Sequence, residues 1–184
     1  MNSPQLYNLI QKYGKIMYLK VFVDSNDEQL KQKYLTAMLT HNEKLNNDFI
    51  DAGFDLFCPV DLSFYICNVN KLDHNVICSA QMFQHNMSSY NTGYYMYARS
   101  SVSKIGLRLA NSGGILDAGY RGHLIGMFDL LYSDTGNKHI DQYDRFAQIC
   151  SPGLVPIYVE IVDSKEDLGE NTSRGEGGFG STGV

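Results

Sequence analysis

Apolar residues recur at helical spacing only near the beginning of the chain. This spacing predicts one helix over Pro4–Tyr13 and a second within "SNDEQLKQKYLTAMLTHNEKLN", where Leu30 and Tyr34 fall on one face. Ser25 and Asn26 begin the second segment and are expected to cap its helix, because their side chains can accept the free N–H groups of a first turn. Between the two helices, "KIMYLKVFVD" is rich in β-branched and aromatic residues and predicts a strand.

From residue 51 onward the pattern changes to short runs of strand length. The runs are "DLSFYICNV", "HNVICSAQMF", "GYYMYA", "SKIGLRLA", "GHLIGMFDLLY" and "RFAQIC". Turns rich in Gly, Asn, Asp and Ser separate these runs, so the pattern predicts an all-β sandwich or barrel. Pro152 and Pro156 flank "GLV", where strand pairing is expected to be irregular or at an edge.

Composition and charge narrow the functional classes. A chain of 184 residues suits one domain with a sizeable core. Its net charge of −5 and lack of a long Lys/Arg run argue against a nucleic-acid partner. The sequence contains no uninterrupted apolar stretch that predicts a membrane or secretory segment, so an intracellular protein, cytoplasmic or nuclear, is expected.

The four cysteines do not suggest a metal site. They contain no C-x-x-C pair and have no histidine at zinc-ligand spacing. We therefore expect reduced thiols on strands that pack as small hydrophobic residues, at Cys58, Cys67, Cys78 and Cys150.

The chain ends in the glycine-rich stretch "RGEGGFGSTGV". Glycine has the most backbone freedom to lose, so composition alone predicts a disordered end. However, arginine, hydroxyl and exposed N–H groups are also the groups that hold phosphate. A segment that orders around a nucleotide would have this composition.

Five segments in order resemble the motifs of the trimeric dUTPase family, the dUTP nucleotidohydrolases. They are "DAGFDLF", "YARSS", "NSGGILDAGYRG", "RFAQI" and "RGEGGFGSTG", and together they span residues 51–183. The resemblance implies a jelly-roll-like β-barrel over residues 1–168, with a helical extension over 1–50, and a flexible arm over 169–184 that closes the active site. It also implies Mg²⁺ as the cofactor and a homotrimer with shared active sites.

The implied reaction is hydrolysis of dUTP to dUMP and pyrophosphate, which keeps uracil out of DNA. Water attacks the α-phosphorus and needs a carboxylate to accept its proton. Asp117 matches the family's water-activating aspartate, although a lone "DAG" is otherwise an ordinary turn. Asp55 matches the aspartate that reaches Mg²⁺ through water, and a plain polar residue at a strand start is the equal alternative.

The remaining site residues also follow from the resemblance. Phosphate contacts are expected from Arg99, Ser100 and Gln148, and Ser101 stands where the family often has glycine. The stretch from Asn111 through Gly114, Ile115 and Leu116 matches the uracil-binding hairpin, and Tyr120 matches the aromatic residue that packs on the deoxyribose. In the arm, Arg174 is expected at the γ-phosphate, Phe179 on the uracil face, and Gly180 and Ser181 along the triphosphate.

Two alternatives remain open from the sequence. A dCTP deaminase is similar in fold but needs a glutamate shortly after the third motif, where this chain has Met127 and Phe128. A non-catalytic regulatory protein on the same scaffold could use residues 24–48 as an interaction surface. The first fifty residues and His123 receive no role from the sequence.

Overall fold

The computed structural model describes residues 4–170 and 172–177. The helices are α1 (Pro4–Tyr13) and α2 (Glu28–Lys44). The strands are β1 (Lys15–Val23), β2 (Gly53–Phe57), β3 (Leu62–Tyr65), β4 (Val69–Asp73), β5 (Val76–Gln84), β6 (Ser89–Asn91), β7 (Tyr94–Ala98), β8 (Leu107–Leu109), β9 (Gly114–Leu116), β10 (Ile125–Leu130), β11 (Asn137–Ile140), β12 (Arg145–Cys150) and β13 (Ile157–Val162). Neither helix is long and apolar enough to cross a bilayer.

The strands form four small sheets around a common core, which confirms the all-β prediction with helical additions near the N-terminus. The strand orders are β13-β1-β5-β6, β4-β10-β8, β11-β3 and β2-β12-β7-β9. The pair β1 and β13 is parallel, and the other described ladders are antiparallel. Strand β1 therefore lies inside a sheet, although it belongs to the first fifty residues.

The second helix begins later than its predicted caps. Asp27 is the N-cap, and its carboxylate accepts two N–H groups of the first turn at 2.9 and 3.1 Å. The Ser25 hydroxyl instead accepts the N–H of Asp27 at 3.1 Å, so the prediction of Ser25 or Asn26 as the cap was wrong. The hydroxyl of Tyr143 also donates to Asp27 at 2.8 Å, and this hydrogen bond lowers the pKa of the carboxyl group.

Two of the predicted strands are interrupted. The run "DLSFYICNV" divides into β3 and β4 around a turn in which Cys67 has φ of 61° and an exposed side chain. Cys67 therefore differs from the other three cysteines, which are buried as expected. The first half of "SKIGLRLA" belongs to a 3-10 helix over Ser100–Ile105, because the chain must turn there before β8 starts.

Helix α2 packs into the core and is not an appendage. Leu30 and Tyr34 are fully buried and lie in the same apolar cluster as Phe57. The Tyr34 hydroxyl accepts the backbone N–H of Phe57 at 3.0 Å. Further along the helix, the Asn42 side chain bonds both backbone groups of Val159 on β13, at 2.8 and 3.0 Å. These contacts make residues 28–44 a structural part of the barrel.

We expect Tyr34→Phe to lower the free energy of unfolding by about 1–2 kcal/mol, because the buried N–H of Phe57 loses its acceptor. Urea denaturation of the two proteins measures the difference. Leu39→Ala on the same helix is the control, since Leu39 is 63% exposed and its replacement should stay within about 0.5 kcal/mol. Equal effects of the two changes would mean that α2 does not depend on this hydrogen bond.

Candidate active site

The sheet β2-β12-β7-β9 carries the predicted site residues at two separate places. At one place, Asp55 on β2 lies opposite Gln148 on β12, which in turn lies opposite Tyr97 on β7. Arg145 begins β12 and Arg99 directly follows β7, so both arginines lie at this end of the sheet. We call the group Asp55, Arg99, Arg145 and Gln148 the phosphate cluster.

Asp55 is held between two guanidinium groups. Arg99 Nε lies 2.8 Å from one carboxylate oxygen, and Arg145 Nη1 lies 2.9 Å from the other. Arg99 Nη1 also donates to the backbone carbonyl of Arg145 at 3.4 Å. The Asp55 side chain is 22% exposed. One carboxylate thus fixes two arginines, and the group keeps an excess positive charge that suits an anion.

The other predicted phosphate ligands lie beside this group. The Gln148 side chain lies over Gly53, where an added Cβ would come within 2.2 Å of its Oε1. Its Nε2 is 3.5 Å from the carbonyl oxygen of Ala98, which precedes Arg99. Ser100 and Ser101 are exposed at the start of the 3-10 helix. The structure therefore brings these predicted residues together and adds Arg145 to them.

Asp55 fits a water-mediated metal contact better than a direct one. Each carboxylate oxygen is already engaged with an arginine, but a carboxylate has about four acceptor sites, so some remain for water. Mg²⁺ normally keeps several of its waters. A second group that could hold a cation is exposed on the sheet β11-β3, where ligand atoms of Asp61, His139 and Asp141 lie within 4.8 Å of one another. The sequence gave no sign of it, because it depends on the pairing of β3 with β11.

The predicted uracil hairpin lies beside β7, on the side away from β12. Strand β9 pairs with β7, with Gly114 opposite Met96 and Leu116 opposite Tyr94. Ile115 is 77% exposed. A cavity of about 210 Å³ opens beside the hairpin. Predicted residues that line this cavity are Asn111, Gly114, Ile115, Leu116, Asp117, Tyr120 and Arg174, and we call them the hairpin cluster.

Asp117 lies at the end of β9 with 61% of its side chain exposed. Arg174 Nε is 3.2 Å from its Oδ2. Arg174 was expected at the γ-phosphate, and that role stays a prediction, but in the structure its neighbour is the carboxylate of its own chain. Nearby, the carbonyl of Gly175 accepts the N–H of Arg121 at 2.8 Å, so residues 172–177 run along the turn that follows Asp117. The predicted arm contacts of Phe179, Gly180 and Ser181 lie outside the described residues.

Tyr120 forms the wall of the cavity next to Asp117. Its ring folds back over Gly122, where an added Cβ would lie 2.5 Å from the phenolic oxygen. The hydroxyl donates to the backbone carbonyl of His123 at 2.9 Å. Burial raises the pKa of the Tyr120 hydroxyl, and the nearby Asp73 carboxylate raises it further. The ring is therefore fixed by its contact with Gly122 and by the hydrogen bond of its hydroxyl to His123.

The two clusters of one chain lie too far apart to act on the same phosphate. Three strand spacings separate β9 from β2, which is roughly 14 Å. The register places Asp117 about four residues along the sheet from Asp55, another roughly 13 Å. A metal-binding carboxylate and a water-activating carboxylate must lie within a few ångströms of the reacting group. Asp55 and Asp117 of one chain therefore do not meet at one reacting group.

Gly93 allows the close approach that positions Asp117. A Cβ at residue 93 would lie 2.7 Å from the carbonyl oxygen of Leu116, a backbone atom that cannot rotate away. We expect Gly93→Ala to displace the end of β9 and to lower the activity several-fold, because small errors in placement of a catalytic group are costly. Steady-state kinetics with the proposed substrate, together with circular dichroism, measures the effect. Unchanged kinetics would show that β9 tolerates the shift.

A family model and individual relatives match this chain, and all of them point to the same family. A sequence model of the dUTPase family matches residues 46–183. The deoxyuridine 5'-triphosphate nucleotidohydrolase of Cutibacterium acnes is 39% identical over 137 residues, which are 73% of this chain and 80% of that protein. The protein of the same name from Clostridium tetani is 33% identical over 134 residues, 72% of this chain and 83% of that protein.

Among solved structures, the dUTPase of Staphylococcus bacteriophage 80alpha with dUPNHPP is similar, with 24% identity and a TM-score of 0.46. The match covers 75% of this chain and 89% of that chain. At this TM-score the family assignment rests on the sequence matches alone. The family match begins at residue 46, so that α1, β1 and α2 lie before it.

Proposed function

This chain belongs to the dUTPase family, and from that premise we propose that it hydrolyses dUTP to dUMP and pyrophosphate with Mg²⁺, in active sites shared between copies of the chain. The observation that carries the proposal is the division of the site into the phosphate cluster and the hairpin cluster. One holds excess positive charge, and the other offers a cavity beside an exposed carboxylate. A nucleoside triphosphate needs both.

Asp117 is the residue that activates water. Its carboxylate is exposed and adjoins the cavity, so that a water molecule can lie between it and a bound nucleotide. The carboxylate accepts a proton as the water attacks the α-phosphorus, and pyrophosphate leaves. Arg174 balances the charge of this carboxylate in the absence of substrate and is close enough to turn toward a phosphate when one binds.

The phosphate cluster binds and orients the triphosphate. Arg99 and Arg145 offer guanidinium N–H groups, which form strong charge-assisted hydrogen bonds with phosphate oxygens. Asp55 keeps the two guanidinium groups in place and offers an acceptor for a metal-bound water. When bound, Mg²⁺ would neutralise negative charge of the triphosphate. Gln148 and Ser100 add neutral donors at the same corner of the sheet.

The hairpin cluster selects the base and the sugar. The polar main-chain groups of the hairpin discriminate bases, because a mismatched base leaves buried groups unpaired. Tyr120 packs on the deoxyribose and occupies the space that a 2′-hydroxyl would need. The substrate is therefore dUTP and not UTP.

A homotrimer unites the two clusters. Closed symmetric assemblies repeat the same contact, so a hairpin cluster of one copy can face a phosphate cluster of another at three equivalent places. The distance between the clusters within one chain supports this assembly. The deaminase alternative gains no support, because β10 carries the side chains of Met127 and Phe128 where a glutamate is needed, and Phe128 is fully buried.

A nucleotide panel tests the proposed function. Purified protein is incubated with Mg²⁺ and dUTP, dCTP, dTTP or UTP, and the products are separated by chromatography. We expect dUMP and pyrophosphate from dUTP, with kcat/KM at least about 10²-fold above that for each competitor. Conversion of dCTP to a uracil nucleotide would support the deaminase instead, and equal turnover of all four would exclude the selective pocket.

A further inference from the structure

His123 joins three segments of the chain behind the hairpin cluster. Its Nδ1 lies 3.0 Å from Asp73 at the end of β4, and its Nε2 lies 3.1 Å from Asp24, which follows β1. The imidazole is thus held between two carboxylates. Its side chain is 29% exposed, so solvent reaches the ring and its proton can exchange with bulk water.

This arrangement matches the charged form of the ring. A neutral imidazole has one N–H, so that one of the two carboxylates would face a ring lone pair. The imidazolium has two N–H groups and can donate to both. Partial burial lowers the pKa of His123, but the hydrogen bonds and charges of Asp24 and Asp73 together outweigh it, so the pKa is raised above its usual value.

Other charged groups also face this ring. Within residues 172–177, the ion pair with Lys165 lowers the pKa of Glu176 most. The charge of His123 lowers the pKa of Glu176 further, so the two side chains lie near each other. Asp117, Arg174 and Tyr120 line the same cavity as His123. The acidic groups around the imidazole in the described chain are therefore Asp24, Asp73, Asp117 and Glu176. The basic groups are Arg174 and Lys165, and Lys165 is paired with Glu176.

The backbone of His123 connects its imidazole ring to Tyr120 in the hairpin cluster. Its carbonyl accepts the Tyr120 hydroxyl at 2.9 Å, so the position of the tyrosine ring depends on where residue 123 is held. The next residue, Leu124, donates to Val76 at 2.9 Å and accepts from His74 at 3.0 Å, which fixes one side of residue 123. The ion pairs of the ring fix the other side.

We propose that His123 is a positioning residue for the nucleotide: its imidazolium, clamped between Asp24 and Asp73, holds Tyr120 in place as the sugar wall, and loss of the proton loosens that wall. This inference rests on the proposed function only for the identity of the nucleotide. The clamp itself is a property of the three side chains.

The direction of the pH effect follows from the raised pKa of His123. A histidine whose folded-state pKa is raised stabilises the protein fully below its unfolded pKa, about 6.5, and loses that contribution as the pH rises through the folded-state pKa. The KM for dUTP should therefore be low on the acidic side and rise on the alkaline side of this transition. The change in kcat should be smaller, because His123 does not touch the reacting atoms.

The test compares the unmodified protein with His123→Gln, His123→Arg and Asp24→Asn between about pH 5 and 9. His123→Gln should have a KM about 10-fold higher at the acidic end and no transition. His123→Arg keeps a permanent charge between the carboxylates and should hold KM low across the range. Asp24→Asn should move the transition to lower pH. The control is His85→Gln, which changes an exposed histidine in the turn between β5 and β6 and should leave the profile unchanged.

An NMR titration of the His123 imidazole gives a readout that does not depend on turnover. A midpoint above about 6.5 that falls in Asp24→Asn supports the clamp even if dUTP proves not to be the substrate. A midpoint at or below that value overturns the clamp. A wild-type KM profile in His123→Gln overturns the link to Tyr120.

Discussion

Replacement of Asp117 by asparagine is expected to lower kcat for dUTP by about 10²- to 10⁴-fold with a much smaller change in KM. The amide has the same shape and can still accept a hydrogen bond from Arg174, which lies 3.2 Å from the carboxylate. It cannot accept the proton of the attacking water. Because the side chain is 61% exposed, the replacement leaves no buried group unpaired, and the fold should be unchanged.

Pyrophosphate release measures kcat, and thermal denaturation checks the fold. Asp51→Asn is a matched control, since Asp51 is also followed by Ala-Gly, is exposed, and has one ionic partner, Lys44, at 2.6 Å. This control should keep nearly full activity. If Asp117→Asn kept kcat within about threefold of the unmodified protein, the carboxylate would not be the base.

Replacement of Arg99 by glutamine is expected to lower kcat/KM for dUTP by about 10- to 100-fold. A hydrogen bond to a charged group contributes about 1.5–3 kcal/mol, and the change removes both that bond and a positive charge from the phosphate cluster. Asp55 keeps its pair with Arg145 at 2.9 Å, so the corner of the sheet should remain folded.

Arg108→Gln is the control for this change. Arg108 on β8 also pairs with an aspartate, Asp129 at 3.1 Å, and its side chain is 64% exposed. The change in net charge is identical, but Arg108 is not part of the phosphate cluster. Equal losses in the two variants would mean that overall charge, and not a contact of Arg99, determines the affinity for dUTP.

The sequence predicted local elements well where the pattern has one explanation. Strand β12 coincides with "RFAQIC", and α1 has its predicted bounds, Pro4–Tyr13. The break between β3 and β4 was missed because the turn residue with positive φ is Cys67. A glycine at that position would have indicated a turn. The N-cap of α2 was predicted at Ser25 or Asn26, but it is Asp27. All three side chains can accept N–H groups of a first turn, so the sequence alone could not choose between them.

The sequence named candidate site residues but could not give their arrangement. The motifs identified Asp55, Arg99 and Asp117, but only the strand register places Asp117 far from the other two. The ion pair of Asp55 with Arg145 depends on the pairing of β2 with β12. His123 had no signal, because its two partners lie about 50 and 99 residues away along the chain.

We propose that each active site combines the hairpin cluster of one copy with the phosphate cluster of another. Asp117→Asn and Arg99→Gln chains, each with reduced activity, are unfolded together in equal amounts and refolded, and exchange is confirmed by mass spectrometry. If the clusters act across copies, about a quarter of the sites in random trimers combine an intact Asp117 with an intact Arg99, and activity should rise to about a quarter of the unmodified value. If both clusters of a site came from one chain, every site would carry a defect, and mixing would restore nothing.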